Sequence, residues 1–138
     1  MQKKRLNIKY YDNYKYQLGE DAHINLPIYG EEYESDFIKI TRSGDLFIRK
    51  GYAWDGSTGA KDTKKTLPAS LVHDALCQLI NEGMIDKKWQ LTADLTYRAI
   101  CLGNGFGNMR TAIRYRAIRC YDDSGLKEYK PREILTAP

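Results

Sequence analysis

Apolar residues alternate with polar ones in the first third of the chain and recur every three or four positions later on, so strands are expected to give way to helices. Leu6 and Ile8 alternate with polar neighbours, and Ala22 to Ile28 alternates through Ile24, Leu26 and Ile28. Phe37-Ile38-Lys39-Ile40-Thr41 faces Leu46-Phe47-Ile48 across Arg42-Ser43-Gly44-Asp45, which reads as a β-hairpin. Pro27 cannot donate to a ladder and places the second run at a sheet edge.

The helical half opens at Thr66, a residue suited to capping, with Pro68 in the first turn. Leu71, Val72, Ala75, Leu76, Leu79 and Ile80 form a wide apolar stripe on a first helix, Leu67 to Glu82, stopped by Gly83. A second helix is predicted over Lys87 to Leu102 with Leu91, Leu95, Ala99 and Leu102 on its apolar face, and a third over Asn108 to Tyr121. Gly103-Asn104-Gly105-Phe106-Gly107 between them lacks the preceding strand that a phosphate loop needs, and reads as a helix end and turn. The expectation is one α+β domain: antiparallel strands and hairpins over 1–54, a small polar loop over 55–66, a bundle of about three helices over 67–121, and an irregular tail over 122–138.

Composition narrows this picture. With 138 residues, 42% of them hydrophobic, the chain can build one core. No apolar run approaches the ~18 residues of a membrane span and no basic leader with an apolar core opens the chain, so an intracellular protein is expected. Cys77, Cys101 and Cys120 lie on apolar helix faces at irregular spacing, as reduced core thiols do, and no close Cys or His spacing suits zinc. The net charge of +4 is mild. Arg110 and Arg114 share a helix face while Arg116 and Arg119 fall off it, a solvated surface and a weak case for nucleic acid. Tyr10, Tyr11, Tyr14, Tyr16, Tyr29 and Tyr33 suit half-buried sheet.

His73 is followed at once by Asp74 in an otherwise apolar helix. His73 stands ten residues before Gly83 and Asp94 eleven after it. Folded as an antiparallel hairpin, the two helices bring imidazole and carboxylate to the same height, the pairing that orients a general base. Asp74 falls beside Ser70, Gln78 and Asn81 on a polar strip. Asp55 and carbonyls of the Gly56 to Gly59 loop, folded over that helix, give oxygen ligands suited to Ca²⁺ or Mg²⁺. Ordinary explanations compete: Asp94 can pair with Arg98 four residues on, and Asp55-Gly56 is a common turn.

Gly51-Tyr52-Ala53-Trp54-Asp55-Gly56-Ser57, Ala69-Ser70-Leu71-Val72-His73-Asp74-Ala75-Leu76, Ala93-Asp94-Leu95-Thr96-Tyr97 and Tyr115-Arg116-Ala117-Ile118-Arg119 together resemble the phage and bacterial family termed domain of unknown function 1353. The chain departs from that pattern with Gly59 where the family has Pro and Cys77 where it has Tyr. The same order is similar, more distantly, to the His-Asp site of bacterial phospholipases A(2). That resemblance implies His73 as general base, Asp94 orienting it, and Asp55 and Asp74 with a loop carbonyl near Gly56, Ser57 and Gly59 holding Ca²⁺. Three functions follow: a calcium-assisted ester or lipid hydrolase carried by a phage or prophage; a virion-associated or binding module of phage structural proteins, cued by the tyrosines; or a protein sequestering an anionic host ligand, cued by Lys61, Lys64 and Lys65.

Overall fold

The computed structural model describes residues 8–10, 16–56, 62–123 and 135–137, with side chains described for 16–56 and 62–121. Its architecture is α+β, with antiparallel sheets in the first half and three helices behind them. The strands are β1 (Ile8–Tyr10), β2 (Tyr16–Gln17), β3 (Ala22–Asn25), β4 (Tyr33–Glu34), β5 (Ile38–Ile40), β6 (Asp45–Ile48), β7 (Ala53–Trp54) and β8 (Leu135–Ala137); the helices are α1 (Leu67–Asn81), α2 (Gln90–Gly103) and α3 (Asn108–Asp123).

The predicted hairpin is β5 and β6, paired Ile38 to Ile48 and Ile40 to Leu46. These four side chains keep no more than 1% of their surface exposed, because the alternation sends all of them to one face. β3 pairs with β6 and β4 with β5, giving the order β3-β6-β5-β4 and placing β3 at an edge. Gly44 turns the hairpin at φ 90°, and a Cβ there would collide with the carbonyls of Leu26 and Ile28, so the turn depends on glycine. On the outer face His23 stacks on Phe47, and Asp45 accepts from His23 and Asn25, each at 3.0 Å. Those bonds, His23 first, hold the Asp45 carboxyl below the ordinary carboxylate range.

The inner sheet face meets α1. Ile28, Ile38, Ile40, Leu46 and Ile48 pack with Leu71, Val72, Ala75, Leu76 and Leu79 in the main core, where Trp54 and Tyr52 also lie. Trp54 donates its indole N–H to Ser70 Oγ at 3.0 Å, and Tyr52 donates to Gln78 at 3.1 Å, so β7 is fastened to α1. Tyr16 of β2 lies against Trp54 across the β2–β7 pair. Gly83, at φ 74°, lets the chain leave α1, and a 3₁₀ turn at Lys87–Trp89 starts α2, capped by Asp86 accepting from Lys88 N at 2.7 Å. The Gly103 to Gly107 run is a helix end and turn: Phe106 N returns to Cys101 O at 2.9 Å. No helix among the described residues is long and apolar enough to cross a membrane.

Several expectations are corrected. α2 buries Ala93, Asp94, Thr96, Tyr97 and Cys101, while Leu91 and Leu102 remain 46% and 42% exposed; the leucine stripe is its outer face. Thr66 precedes α1 without a side-chain cap, since its hydroxyl serves the backbone of Thr63 in the preceding loop. Cys77 and Cys101 are buried, but Cys120 is exposed; all three are free thiols. The tail is not irregular throughout: α3 runs to Asp123, and Leu135–Ala137 forms a strand paired with Ile8–Tyr10. Tyr29 is exposed rather than packed on the sheet, and Tyr11 and Tyr14 lie outside the described residues.

Candidate active site

On an α-helix, residues four apart share a face, so Ala69, His73 and Cys77 form one strip of α1. The facing strip of α2 is Cys101, Tyr97, Asp94 and Gln90, met in antiparallel order. Ala69 packs in a small cluster with Tyr97, Cys101 and Phe106. One turn on, His73 Nε2 lies 2.7 Å from Asp94 Oδ1, and the imidazole meets the Tyr97 ring edge-on with centroids 5.7 Å apart. A further turn on, Gln90 Nε2 donates to Cys77 Sγ at 3.5 Å and to Asp94 Oδ1 at 3.1 Å.

Asp94 is the hub. Its side chain has 0% exposure, and a carboxylate so enclosed needs both a countercharge and donors for its lone pairs. α3 supplies the charge: Arg119 NH1 donates to Asp94 Oδ2 at 2.7 Å, with 21% of the arginine side chain exposed. Asp94 therefore takes donors from all three helices, with Oδ1 facing His73 and Gln90 and Oδ2 facing Arg119. It does not pair with Arg98, whose guanidinium stacks 4.8 Å over Tyr115. Arg110 and Arg114 stack over Phe106, and Arg114 also reaches the Tyr97 hydroxyl at 3.4 Å.

Arg119 is the site residue that charge patterning missed. Reading the arginines as one solvated patch hid it, yet it stands four residues after Tyr115 and eight after the buried Thr111, on the side of α3 that turns inward. The inward strip of a helix ending in arginine opposite a buried aspartate was the available signal.

The carboxylate fixes the imidazole. A carboxylate accepts, so Nε2 carries the hydrogen and Nδ1 the lone pair of the neutral ring, on the side away from Asp94. Cys77 Sγ lies 3.8 Å from Nδ1 and 3.6 Å from Nε2. The arrangement can take a proton at Nδ1, hold the resulting imidazolium against a carboxylate, and return the proton.

The other predicted site residues lie nearby in sequence. Asp74 is half-buried on α1, next to His73; its supposed solvent strip includes Ser70, which is buried under Trp54. Asp55 is half-buried just past β7, and Gly56 follows at φ 88° with the Asp62 carboxylate packed where a Cβ would stand. Asp62 also accepts from Tyr16 at 3.1 Å, which ties the far side of the loop to β2. Ser57, Gly59 and Lys61 lie outside the described residues, and among the described residues no group of three or more His, Cys, Asp or Glu side chains could hold a metal. Lys65 donates to Gly105 O at 3.3 Å, whereas Lys64 is exposed.

A cleft of about 250 Å³ lies between the sheet and the helices, lined by Ile24, Leu46, Ile48, Leu71, Val72 and Ile100 among others. Val72 adjoins His73, but neighbours on a helix diverge by about 100°, so the cleft and the imidazole occupy different faces of α1. Compared with protein-family models, curated proteins and solved structures, the chain finds no match.

Proposed function

We propose that this chain is a small hydrolase that cleaves an ester bond, with His73 as general base and Asp94 as the group that orients it. The observation carrying the reading is the 2.7 Å contact between His73 Nε2 and a fully buried carboxylate. A packing histidine needs no such partner, and burying a carboxylate is costly unless it is fully paired. Gln90 and Arg119 keep that carboxylate in place while His73 works at Nδ1.

The phage or prophage setting, the lipid character of the substrate and the calcium ion belong to the same proposal and rest on the resemblance of motifs alone. Asp55 and Asp74 would hold the ion, whose chemistry is to polarise the ester carbonyl. The derivation of the base does not depend on it.

The test is hydrolysis of a panel of short-chain and phospholipid esters with and without Ca²⁺. His73→Ala should lose about 10²- to 10⁴-fold in kcat with its circular dichroism spectrum unchanged. Asp55→Asn and Asp74→Asn should remove any calcium dependence. Absence of turnover across the panel, or a His73→Ala variant as fast as the parent, sinks the proposal.

A second reading draws on a specific observation, the Asp94 and Arg119 ion pair that ties α2 to α3. In that reading the network is a clamp and the chain is a virion-associated or binding module. It predicts that His73→Ala lowers Tm while no ester is cleaved.

A further inference from the structure

We propose that the outer face of α3 docks on an anionic lipid surface, with Met109 and Ile113 entering the bilayer and the arginines beside them holding headgroup phosphates. This docking is independent of whether His73 cleaves an ester.

α3 presents to solvent the kind of face a helix ordinarily turns inward. Successive residues rotate by about 100°, so Thr111, Tyr115 and Ile118 point to one side of α3 while Met109, Ile113 and Cys120 point to the opposite side. The first side meets the core: Thr111 keeps 1% of its surface, and Ile118 packs against the cluster of Ala69, Tyr97, Cys101 and Phe106. The second side should then be polar. Instead Met109 is 78% and Ile113 63% exposed, one turn apart, and Cys120 is exposed further along the same line. Apolar residues scattered singly over a surface need no explanation, but two large ones in register on the outermost ridge of a helix mark a contact surface.

The charge around the ridge selects what it contacts. Between Lys87 and Tyr121 the chain carries seven lysines and arginines and a single carboxylate, Asp94, which is buried and paired with Arg119. Between Tyr16 and Gly56 the balance reverses, with eight carboxylates to four cations. The positive excess is therefore concentrated on α2 and α3. Arg110 and Arg114 run along one flank of the ridge with their guanidinium groups 4.7 and 4.9 Å over the Phe106 ring, and the exposed Arg116 stands on the other flank. Stacking on an aromatic face fixes a guanidinium without neutralising it.

A second α3 laid on this ridge would set arginines against arginines. A bilayer with anionic headgroups answers both features at once, since its acyl boundary takes the methionine and isoleucine while its phosphates take the guanidinium groups. A protruding ridge needs no matching groove there, because lipid yields to it. α3 would lie along the surface, as no helix among the described residues is long and apolar enough to cross it.

The test is co-sedimentation of the full chain with vesicles of phosphatidylcholine, alone or mixed equally with phosphatidylglycerol. The chain should pellet with the mixed vesicles, stay in solution with phosphatidylcholine alone, and be released as NaCl is raised. Met109→Gln combined with Ile113→Gln should leave the circular dichroism spectrum unchanged and weaken binding about tenfold or more. Arg116→Gln should weaken it about fivefold. A polarity-sensitive fluorophore on Met109→Cys, in a chain carrying Cys120→Ala, should shift to the blue with the mixed vesicles. No pelleting at low salt, pelleting that the double variant keeps in full, or a fluorophore that reports water throughout overturns the proposal. So does a dimer that the double variant dissociates, which would put a second copy on the ridge. Binding to polyglutamate that requires Met109 and Ile113, with the vesicles ignored, overturns it in favour of an acidic protein. None of these readouts involves turnover, so a failure of ester hydrolysis leaves them untouched.

Discussion

The two faces of α1 solve the same burial problem with opposite chemistry. Toward the sheet, Leu71, Val72, Ala75, Leu76 and Leu79 meet Ile28, Ile38, Ile40, Leu46 and Ile48, and nothing in that interface needs a particular partner beyond volume and shape. Toward α2 and α3, Ala69, His73 and Cys77 meet Tyr97, Asp94, Gln90 and, through Asp94, Arg119. There every polar group depends on another being present and correctly aimed. The apolar face makes the main core, and the polar seam runs along its edge.

Substitutions can break or sharpen that contrast. The largest effect is expected from Asp94→Ala, which leaves Arg119 and His73 around an emptied site and should cost about 4 kcal/mol. Leu46→Ala, a cavity in the apolar face, should cost about 3 kcal/mol, and urea unfolding measures both. Changes that conserve volume separate the faces further: Asp94→Asn removes the charge that Arg119 answers and should cost about 2 kcal/mol, while Leu46→Met should cost about 1 kcal/mol. Equal losses for the two conservative changes would erase the distinction.

Smaller effects test the periphery. The Asp45 carboxyl sits below its ordinary range because His23 and Asn25 donate to it, so its contribution is present above the unfolded carboxylate pKa and is lost as pH falls through the folded value. Carbon-detected NMR titration should find Asp45 titrating below a free aspartate, and His23→Ala should move it upward; no movement refutes the assignment. Least of all, Leu102→Gln on the outer face of α2 should change stability by no more than about 0.5 kcal/mol. A loss of several times that would mean the leucine stripe faces inward after all.

Much of this was legible in the sequence, and the exceptions have physical causes. The β5–β6 hairpin was readable because alternation over eight or so residues leaves one face to bury. The meeting of His73 with Asp94 was readable because a short connector at Gly83 forces an antiparallel hairpin and fixes which residues share a height. The orientation of α2 was not, because the leucines at 91, 95 and 102 outweigh Asp94 and Tyr97 in any apolar count. What turned the helix was the complement on α1, where Ala69 and Cys77 flank His73 and leave room for larger polar partners. Arg119 was hidden because its partner lies 25 residues away in sequence. The pairs β2–β7 and β1–β8 are two and three residues long, too short for any periodicity to register.

The central claim is that a buried carboxylate holds His73 with its hydrogen on Nε2 and its lone pair on Nδ1. Long-range ¹H–¹⁵N correlation of the two histidines, assigned with His23→Ala, reads this directly. The account predicts that His73 at mildly alkaline pH is the Nε2–H tautomer and that Asp94→Ala releases the ring to a mixture. A His73 ring carrying its hydrogen on Nδ1, or one indifferent to Asp94, would contradict it.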